Sequence, residues 1–391
     1  MNALLEWMAG VDADRRRAGL VRRTDARRNP GIRGGLLDLA SNDYLGLGAD
    51  PRVRAAATRA IETYGAGAGA SRVVTGTTAG HDELERELAR LTGQPSCLAF
   101  SSGYAANIGL LTALGSPDTL IVSDEHVHAS LIDGARLSRS PVRICPHNDV
   151  VALEALLRDR EQTRAVVVVE SIYSVLGDAA DLARVAALCA AYDALLVVDE
   201  AHGIGVAGRG RGAVHAAGLS GSPHVVVTAT LSKALGTQGG AVLGPALVRE
   251  HLVNTARTFI FDTGLAPAAA AGAAEASRII AAEPERADEL HRIAALIAGA
   301  AGVPHAPGAV QSIPADSADR AVAAADTLFG EGIVVGCFRP PSVPDGVSRL
   351  RLVARAGVDP GQAERAARLA ARLCRAEVRA GRVSAAGPVG G

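Results

Sequence analysis

The sequence contains a single lysine, Lys233, although lysine and arginine together number 40 among its 391 residues. Arginine therefore supplies every other basic side chain. Aromatic residues make up only 3% of the chain, and its five cysteines are scattered without a CxxC pair. This cysteine pattern argues against a disulfide framework and a cysteine zinc site, and it is typical of a reducing compartment.

The chain also lacks a strong excess of charge. Its formal net charge of -1 argues against binding nucleic acid or membrane surfaces through bulk electrostatics. The N-terminal stretch MNALLEWMAG lacks the basic region of a secretory signal, and no apolar run reaches the length of a membrane helix. We therefore expect a cytoplasmic protein. Arginines cluster between Arg15 and Arg28, where they form either a solvated helix face or an anion site.

Brief apolar, β-branched runs alternate with helical patterns along most of the chain, as in RAVVVVESIYS, ALLVVDEAHG and HVVVTATLSK. Strands that are apolar on both faces and separated by helices predict a mostly parallel sheet covered on both sides. The fold class is therefore α/β. Residues 2–29 predict a helix followed by a polar turn, with an apolar side formed by Leu4, Leu5, Trp7 and Met8.

Three segments are predicted along the chain. They are an N-terminal helix and arm over 1–45, a large domain over 46–280, and a smaller C-terminal α/β domain over 281–391. The alanine-rich stretch GLAPAAAAGAAEASRIIAAE predicts a long helix that links the two domains. The tail GRVSAAGPVGG is predicted to be disordered.

Polar residues follow several of the predicted strands. In parallel sheets of this kind, ligands bind at the carboxyl ends of the strands, so these residues are expected to converge on one pocket. The candidates are Ser101–Ser102–Gly103, Ser123–Asp124, Ser174, Asp199–Glu200–Ala201–His202 and Ser232–Lys233.

The lysine in TLSKALG has a chemical capacity that arginine lacks. A partly buried lysine can lose its proton and act as an amine nucleophile, whereas arginine stays charged. Pyridoxal phosphate bound to such an amine needs a carboxylate at its pyridine nitrogen, and Asp199 could supply it. His202 could donate to the phenolic oxygen, and His128 could cover the ring face.

The phosphate of such a cofactor needs backbone N–H groups at the start of a helix, with hydroxyl groups nearby. The stretch Ser102–Gly103–Tyr104, which opens the helix YAANIGLLTAL, provides those N–H groups, and Thr230 could add a hydroxyl. Taken alone, Asp199 could be an ion-pair partner and either histidine a satisfied loop residue. Together with the sole lysine, these residues favour the cofactor site.

Three other signals in the sequence compete with this interpretation. GAGAGA, from Gly65 to Ala70, follows a helical pattern and lacks the last glycine of a dinucleotide fingerprint. The letters DEAH, from Asp199 to His202, imitate a helicase-type NTPase, but the sole lysine does not end a phosphate loop. His126 and His128 have no third ligand at a recognised spacing, so no metal site is predicted.

The motifs resemble those of the α-oxoamine synthases, pyridoxal-phosphate enzymes of aminotransferase fold type I. The resemblance runs from about Leu37 to Ala354. It is carried, in order, by SNDYLGL, GAGASRVVTGTTAGHDELERELA, FSSGYAAN, SDEHVHASLIDGARLS, VDEAHGIGVAGRGRGA, TLSKALGTQGG and FRPPSVPDGVSRLRL. It implies a large domain with a mostly parallel central sheet and a smaller C-terminal domain.

The resemblance implies a role for each matching residue. Lys233 would bind the cofactor covalently and remove the α-proton of the amino acid, with Asp199, His202 and His128 acting on the cofactor ring. The remaining cofactor contacts implied are Gly103, Tyr104, Ser174, Thr230 and, from a neighbouring subunit, Thr263. The implied substrate contacts are Arg22, Asn42, His128, Arg351 and Val353. A homodimer with a shared active site would then be the minimal active unit.

The implied reaction is a decarboxylative condensation of L-alanine with a pimeloyl thioester, as in biotin biosynthesis. The acyl carrier could be coenzyme A or a protein, and the sequence leaves both open. One position departs from the family: Val353 stands where a threonine usually contacts substrate, and valine cannot donate that hydrogen bond. Condensation of glycine with an acetyl or succinyl thioester, as in glycine C-acetyltransferase or 5-aminolevulinate synthase, remains the alternative within the family.

Overall fold

A computed structural model describes residues 2–22, 24–26 and 35–375 of the chain. The tail that the sequence predicts to be disordered lies outside the described residues. The strands of the described part are β1 (Leu37–Leu39), β2 (Ser96–Phe100), β3 (Thr119–Asp124), β4 (Val142–Cys145), β5 (Arg164–Glu170), β6 (Ala194–Asp199), β7 (Val225–Thr230), β8 (Gly240–Gly244), β9 (Val310–Pro314), β10 (Ile333–Phe338) and β11 (Arg349–Val353).

The helices of the described part alternate with these strands. They are α1 (Ala3–Arg17), α2 (Pro51–Tyr64), α3 (Ala79–Thr92), α4 (Gly103–Leu114), α5 (Ala129–Leu137), α6 (Val150–Arg158), α7 (Leu182–Ala191), α8 (Ala213–Ala216), α9 (Ala246–Thr255), α10 (Arg257–Ile260), α11 (Pro267–Ala282), α12 (Glu285–Ala301), α13 (Ala318–Gly330) and α14 (Pro360–Cys374). No helix within the described ranges is long and apolar enough to cross a bilayer.

The larger sheet has the strand order β2-β8-β7-β6-β5-β3-β4 within the described residues. Strand β8 runs antiparallel to both of its neighbours, and all other neighbouring pairs are parallel. The register places Glu170 opposite Asp199 and Asp199 opposite Thr228. The carboxyl ends of β5, β6 and β7 therefore lie side by side at one edge.

Successive valines of β5 enter two different hydrophobic clusters. Val166 and Val168 pack with α4 and α5, whereas Val167 and Val169 pack in the cluster on the opposite face. Side chains alternate between the two faces of a strand, so an uninterrupted valine run requires apolar cover on both. The predicted parallel sheet covered on both sides is confirmed.

The smaller sheet has the order β1-β10-β11-β9 within the described residues. Strand β1 pairs in parallel with β10, with Leu37 opposite Ile333, and so joins elements from the two ends of the chain. Residues 37–39, which belong to the predicted N-terminal arm, thus complete a sheet of the C-terminal half. The segment boundaries at 45 and 280 stay predictions.

Helix α1 forms within the predicted N-terminal helical segment and ends at Arg17. Its apolar side is open in the single chain: Trp7 is 62% exposed, and Leu4, Leu5 and Met8 are exposed as well. None of its residues, all of which the structure describes, is buried.

Candidate active site

Lys233 lies just after the carboxyl end of β7, between the buried side chains of Leu231 and Ala234. Its Nζ is 2.8 Å from Nε2 of His202. Burial lowers the pKa of Lys233 to about 8, although the charges of Asp199 and Glu170 act to raise it. The amine therefore loses its proton far more readily than an ordinary lysine does, as amine chemistry requires, although the ammonium form still predominates at neutral pH.

A series of hydrogen bonds links Lys233 through His202 to Tyr44 and Asn42. A lysine ammonium can only donate, so Nε2 of His202 accepts and Nδ1 carries the ring proton. That Nδ1 lies 2.6 Å from the hydroxyl oxygen of Tyr44, which in turn donates to Oδ1 of Asn42 at 3.3 Å. His202 is buried, and burial followed by the charge of Lys233 holds the pKa of His202 well below its usual value.

Arg351, on strand β11, joins the same series of hydrogen bonds at Asn42. Its guanidinium donates to Oδ1 of Asn42 and to the backbone carbonyl of Ser174, both at 2.9 Å. The guanidinium carbon lies 4.6 Å from the ring centre of Phe338, within cation–π range. Arg351 is 6% exposed, and its buried Nε has no partner among the described residues. Arg351 and Asn42 can therefore bind a carboxylate beside Lys233.

Asp199 ends β6 and is held by two donors. Its Oδ1 accepts from the backbone N–H of Ala201 at 2.8 Å, and its Oδ2 accepts from the amide of Asn107 at 2.7 Å. His128, the N-cap of α5, is bonded through Nδ1 to the hydroxyl of Ser130 at 2.8 Å. Its ring is otherwise exposed, so one face is available to a planar group.

The start of α4 abuts the end of β7. The Ser102 hydroxyl accepts from the Ala105 N–H at 3.0 Å, which leaves the N–H groups of Gly103 and Tyr104 without an intrahelical acceptor. A Cβ on Gly103 would lie 3.1 Å from Cβ of Thr230. A Cβ on Gly240 would lie 2.3 Å from the Ser102 carbonyl oxygen, so this close approach requires glycine. The arrangement suits a phosphate group.

The remaining predicted residues lie apart from this group or at its margin. Val353 is fully buried and its side chain packs in the hydrophobic core, and its substrate contact stays a prediction. The Tyr104 side chain is exposed and bonds Asp133. Arg22 is exposed and contacts the Ser342 hydroxyl, and Thr263 is exposed on the chain's own surface.

Sequence reasoning missed four residues of the site: Tyr44, Asn107, Ser130 and Glu170. Glu170 is 2% exposed, and burial followed by the charge of Asp199 raises its pKa to about 8. Tyr44 and Asn107 lie within the quoted motifs SNDYLGL and FSSGYAAN, but an uncharged residue inside an apolar pattern carries no signal of its contacts.

A second cluster supports the loops that carry His128 and Ser174. The ring of His147 bridges Asp124 at the end of β3 and Asp178 after β5, with distances of 2.9 Å and 2.7 Å. The ring also stacks on His126, with centroids 3.8 Å apart. Asp124 further accepts from the backbone N–H of His126, two residues before His128.

Comparison with known proteins gives the family. The family model for class I and II aminotransferases matches residues 35–369. The 8-amino-7-oxononanoate synthase of Mycolicibacterium smegmatis is 53% identical over 356 residues, covering 90% of this chain and 92% of that protein. That of Mycobacterium marinum is 50% identical, with 93% of each chain covered.

The chain belongs to the 8-amino-7-oxononanoate synthase family. Among solved structures, serine palmitoyltransferase from S. paucimobilis has a TM-score of 0.88 at 28% identity, covering 95% of this chain and 98% of that one. An 8-amino-7-oxononanoate synthase from Francisella tularensis has a TM-score of 0.74 at 26% identity, covering 86% and 97%. The predicted family and the predicted fold class of this synthase-like chain are confirmed, and the NTPase alternative is wrong.

Proposed function

We propose that the chain condenses L-alanine with a pimeloyl thioester, releasing carbon dioxide and the thiol and giving 8-amino-7-oxononanoate. The observation that carries this proposal is the sole lysine, whose amine lies 2.8 Å from a buried neutral histidine in a chain 53% identical to a synthase of that name. The reaction belongs to the biotin pathway, as the sequence predicts.

The residues present fit pyridoxal phosphate. The similar serine palmitoyltransferase structures contain this cofactor. Lys233 offers an amine of lowered pKa, and Asp199 offers a carboxylate. The N–H groups of Gly103 and Tyr104, together with the Thr230 hydroxyl, offer a binding site for the phosphate. The close approach of this turn to Gly240 leaves room only for glycine at that position. When bound, the cofactor supplies an electron sink for the α-carbon of the amino acid.

The side chains of this site then divide the work. Lys233 takes the α-proton, because an amine with a pKa of about 8 can accept and return a proton near neutral pH. The Asp199 carboxylate would keep a proton on the ring nitrogen of the bound cofactor. His202 is kept neutral by burial, and its Nε2 faces the Lys233 amine.

Substrate orientation comes from the opposite wall. Arg351 and Asn42 bind the alanine carboxylate, because the guanidinium and the amide are already aligned by their mutual 2.9 Å hydrogen bond. Arg22, at the margin beside Ser342, is assigned to the acyl substrate.

Two observations support a homodimer with shared sites. Phe261 is 71% exposed and Val74 is 71% exposed, and the two segments that carry them are joined by a hydrogen bond from Ser71 to the Ile260 carbonyl. Exposed apolar patches of this kind mark protein interfaces. Thr263 lies on the same loop as Phe261, so the partner's site would receive its hydroxyl. A cytoplasmic location stays a prediction.

The reaction is tested by product formation with matched substrates. Purified protein loaded with pyridoxal phosphate is given L-alanine or glycine, each with pimeloyl-CoA, a pimeloyl carrier protein, acetyl-CoA or succinyl-CoA. We expect the amino-oxo acid only from alanine and a pimeloyl thioester. Preferential turnover of glycine with acetyl-CoA or succinyl-CoA would assign the chain to the alternative condensation instead.

Replacement of the lysine provides the internal test. Lys233→Arg is expected to keep the fold, measured by circular dichroism, and to abolish turnover, because a guanidinium cannot serve as base or leaving amine. Arg54→Lys, on the exposed face of α2, is the matched control and should leave turnover unchanged. Turnover by Lys233→Arg would refute the assignment of the base.

The shared site is tested by mixing two inactive variants. Lys233→Arg and Thr263→Ala each disable one element, so a mixed dimer contains one site with both elements intact if they come from different subunits. We expect activity to reappear on mixing at limiting cofactor. Sedimentation as a single chain, or no recovery on mixing, would count against the dimer.

A further inference from the structure

One amide connects the two sides of the cofactor site. Asn107 lies on the buried face of α4 and is 3% exposed. Its Nδ2 donates to Oδ2 of Asp199 at 2.7 Å and to Oγ of Ser130 at 2.9 Å. Asp199 ends β6 and Ser130 lies in α5, 92 and 23 residues away along the chain.

The orientation of this amide is determined by its neighbours. A carboxylate only accepts hydrogen bonds, so the NH₂ group of Asn107 must face Asp199 and its carbonyl must face away. Both protons of the NH₂ group are then used, one for each partner. The carbonyl oxygen Oδ1 is buried and has no partner among the described residues. The Asn107 amide therefore acts in this site through its two N–H donors.

The second donor fixes a histidine. Ser130 receives the Asn107 proton on its oxygen, so its own hydroxyl proton is directed to Nδ1 of His128 at 2.8 Å. The backbone N–H of Ser130 reaches the same nitrogen at 3.2 Å. Nδ1 of His128 therefore accepts twice, and the ring proton is placed on Nε2.

We propose that Asn107 is a positioning residue that orients the Asp199 carboxylate and, through Ser130, fixes the tautomer of His128. The inference rests on the proposed function, in which Asp199 and His128 touch the cofactor. A single helix thus orients both the carboxylate that would pair with the cofactor's ring nitrogen and, through Ser130, the imidazole that would cover the ring. An apolar side chain of similar size would fill the same space on α4 and supply neither donor.

The charged groups around Asp199 determine how a carboxyl group introduced at position 107 would titrate. The ionisable groups whose charges act with that of Asp199 are Glu170 on β5, Glu200 on the following turn, Lys233 after β7 and His128 before α5. Asn107 itself is uncharged and supplies no titrating group. A carboxyl group introduced at that position would face Asp199 directly, and two adjacent carboxylates share a proton.

The test compares cofactor affinity of the apoprotein at two pH values. In Asn107→Asp, pyridoxal phosphate should bind about tenfold to a hundredfold more weakly at about pH 8, because a charge-assisted donor is replaced by a repelling charge. At about pH 6 the introduced carboxyl holds a proton that it can donate to Asp199, so most of the loss should disappear. Absorbance titration measures binding without turnover.

Two further variants separate positioning from packing. Ser130→Ala removes the hydroxyl but keeps the backbone N–H to His128, so we expect a smaller loss of about twofold to fivefold that does not change with pH. Asn254→Asp, on the exposed end of α9, makes the same chemical change outside the site and should bind like the wild type. If Asn107→Asp fails to fold, Ser130→Ala still tests the link to His128.

The outcomes distinguish this inference from the proposed function. A wild-type protein that takes up no pyridoxal phosphate overturns the proposed function and this inference with it. A wild-type protein that binds the cofactor, with Asn107→Asp weakened equally at both pH values, leaves the function standing and reduces Asn107 to a packing residue. Unchanged affinity in both site variants likewise overturns the positioning role.

Discussion

Raising the pH from about 6.5 to about 9 is expected to remove a stabilising contact of His147. This ring contacts carboxylates through both nitrogens, so it needs both protons to donate to Asp124 and Asp178. Burial lowers the pKa of His147, but the two hydrogen bonds outweigh burial and raise that pKa to about 9. The charged ring therefore stabilises the loops beneath the cofactor site.

The magnitude follows from the size of the pKa shift. The folded-state pKa lies above the ordinary 6.5, so the stabilisation is complete below that value and is lost as pH rises through about 9. One pKa unit corresponds to about 1.4 kcal/mol, so the free energy of unfolding gains about 3 kcal/mol from this contact. Asp124, the partner carboxyl, behaves in the opposite sense. Burial raises the pKa of Asp124, but hydrogen bonds, led by that of His147, lower this pKa overall. The contribution of Asp124 to the free energy of unfolding is therefore lost in acid.

The assay is urea unfolding of the apoprotein at fixed protein concentration, followed by circular dichroism between about pH 6 and pH 10. Because Lys233 titrates in the same range with opposite sign, the informative quantity is wild type minus His147→Gln. That difference should be about 3 kcal/mol at the acid end and should shrink toward zero at the alkaline end. A difference that stays constant with pH would refute the reasoning. His251→Gln is the matched control, because the His251 ring is hydrogen-bonded to a backbone carbonyl, that of Ala113.

Two other changes test buried contacts. Glu85 is 6% exposed and accepts from Arg72 at 2.8 Å and from Arg249 at 3.0 Å. Glu85→Gln leaves the buried Arg72 charge unpaired, so it should lower the free energy of unfolding in urea titrations by about 3 kcal/mol. A loss below about 1 kcal/mol would contradict this reasoning. Tyr44→Phe removes the oxygen that accepts from Nδ1 of His202, so kcat should fall about tenfold while the circular dichroism spectrum is kept. An unchanged kcat would show that the hydrogen-bond chain ending at Lys233 is not needed.

Much of the fold follows from short-range pattern. The valine runs predict buried strands, because only a strand covered on both faces can bury every residue of such a run. The sole lysine and the DEAH turn are chemically distinctive, so Lys233, Asp199 and His202 could be singled out before any coordinates. The structure places the first and last of these 2.8 Å apart.

The rest depends on distant partners. Asn107 is a neutral residue in an apolar helix, and its role depends on Asp199, 92 residues further along the chain. The motif predicts a substrate contact at Val353 by its position, and the structure adds that this side chain packs in the core, which a motif does not record. The apolar side of α1 predicts a helix correctly, but Trp7 remains 62% exposed, since its cover is not supplied by the described part of the same chain.

The pairing of β1 with β10 sets an order for assembly during translation. Leu37 leaves the ribosome long before Ile333, so strand β1 has no partner in the smaller sheet until β10 has been synthesised. Asn42 and Tyr44 follow that strand, and Arg351 comes later still. A nascent chain can thus complete its lysine-bearing sheet before the carboxylate-binding pair exists, and that pair forms only when Arg351 on β11 reaches Asn42.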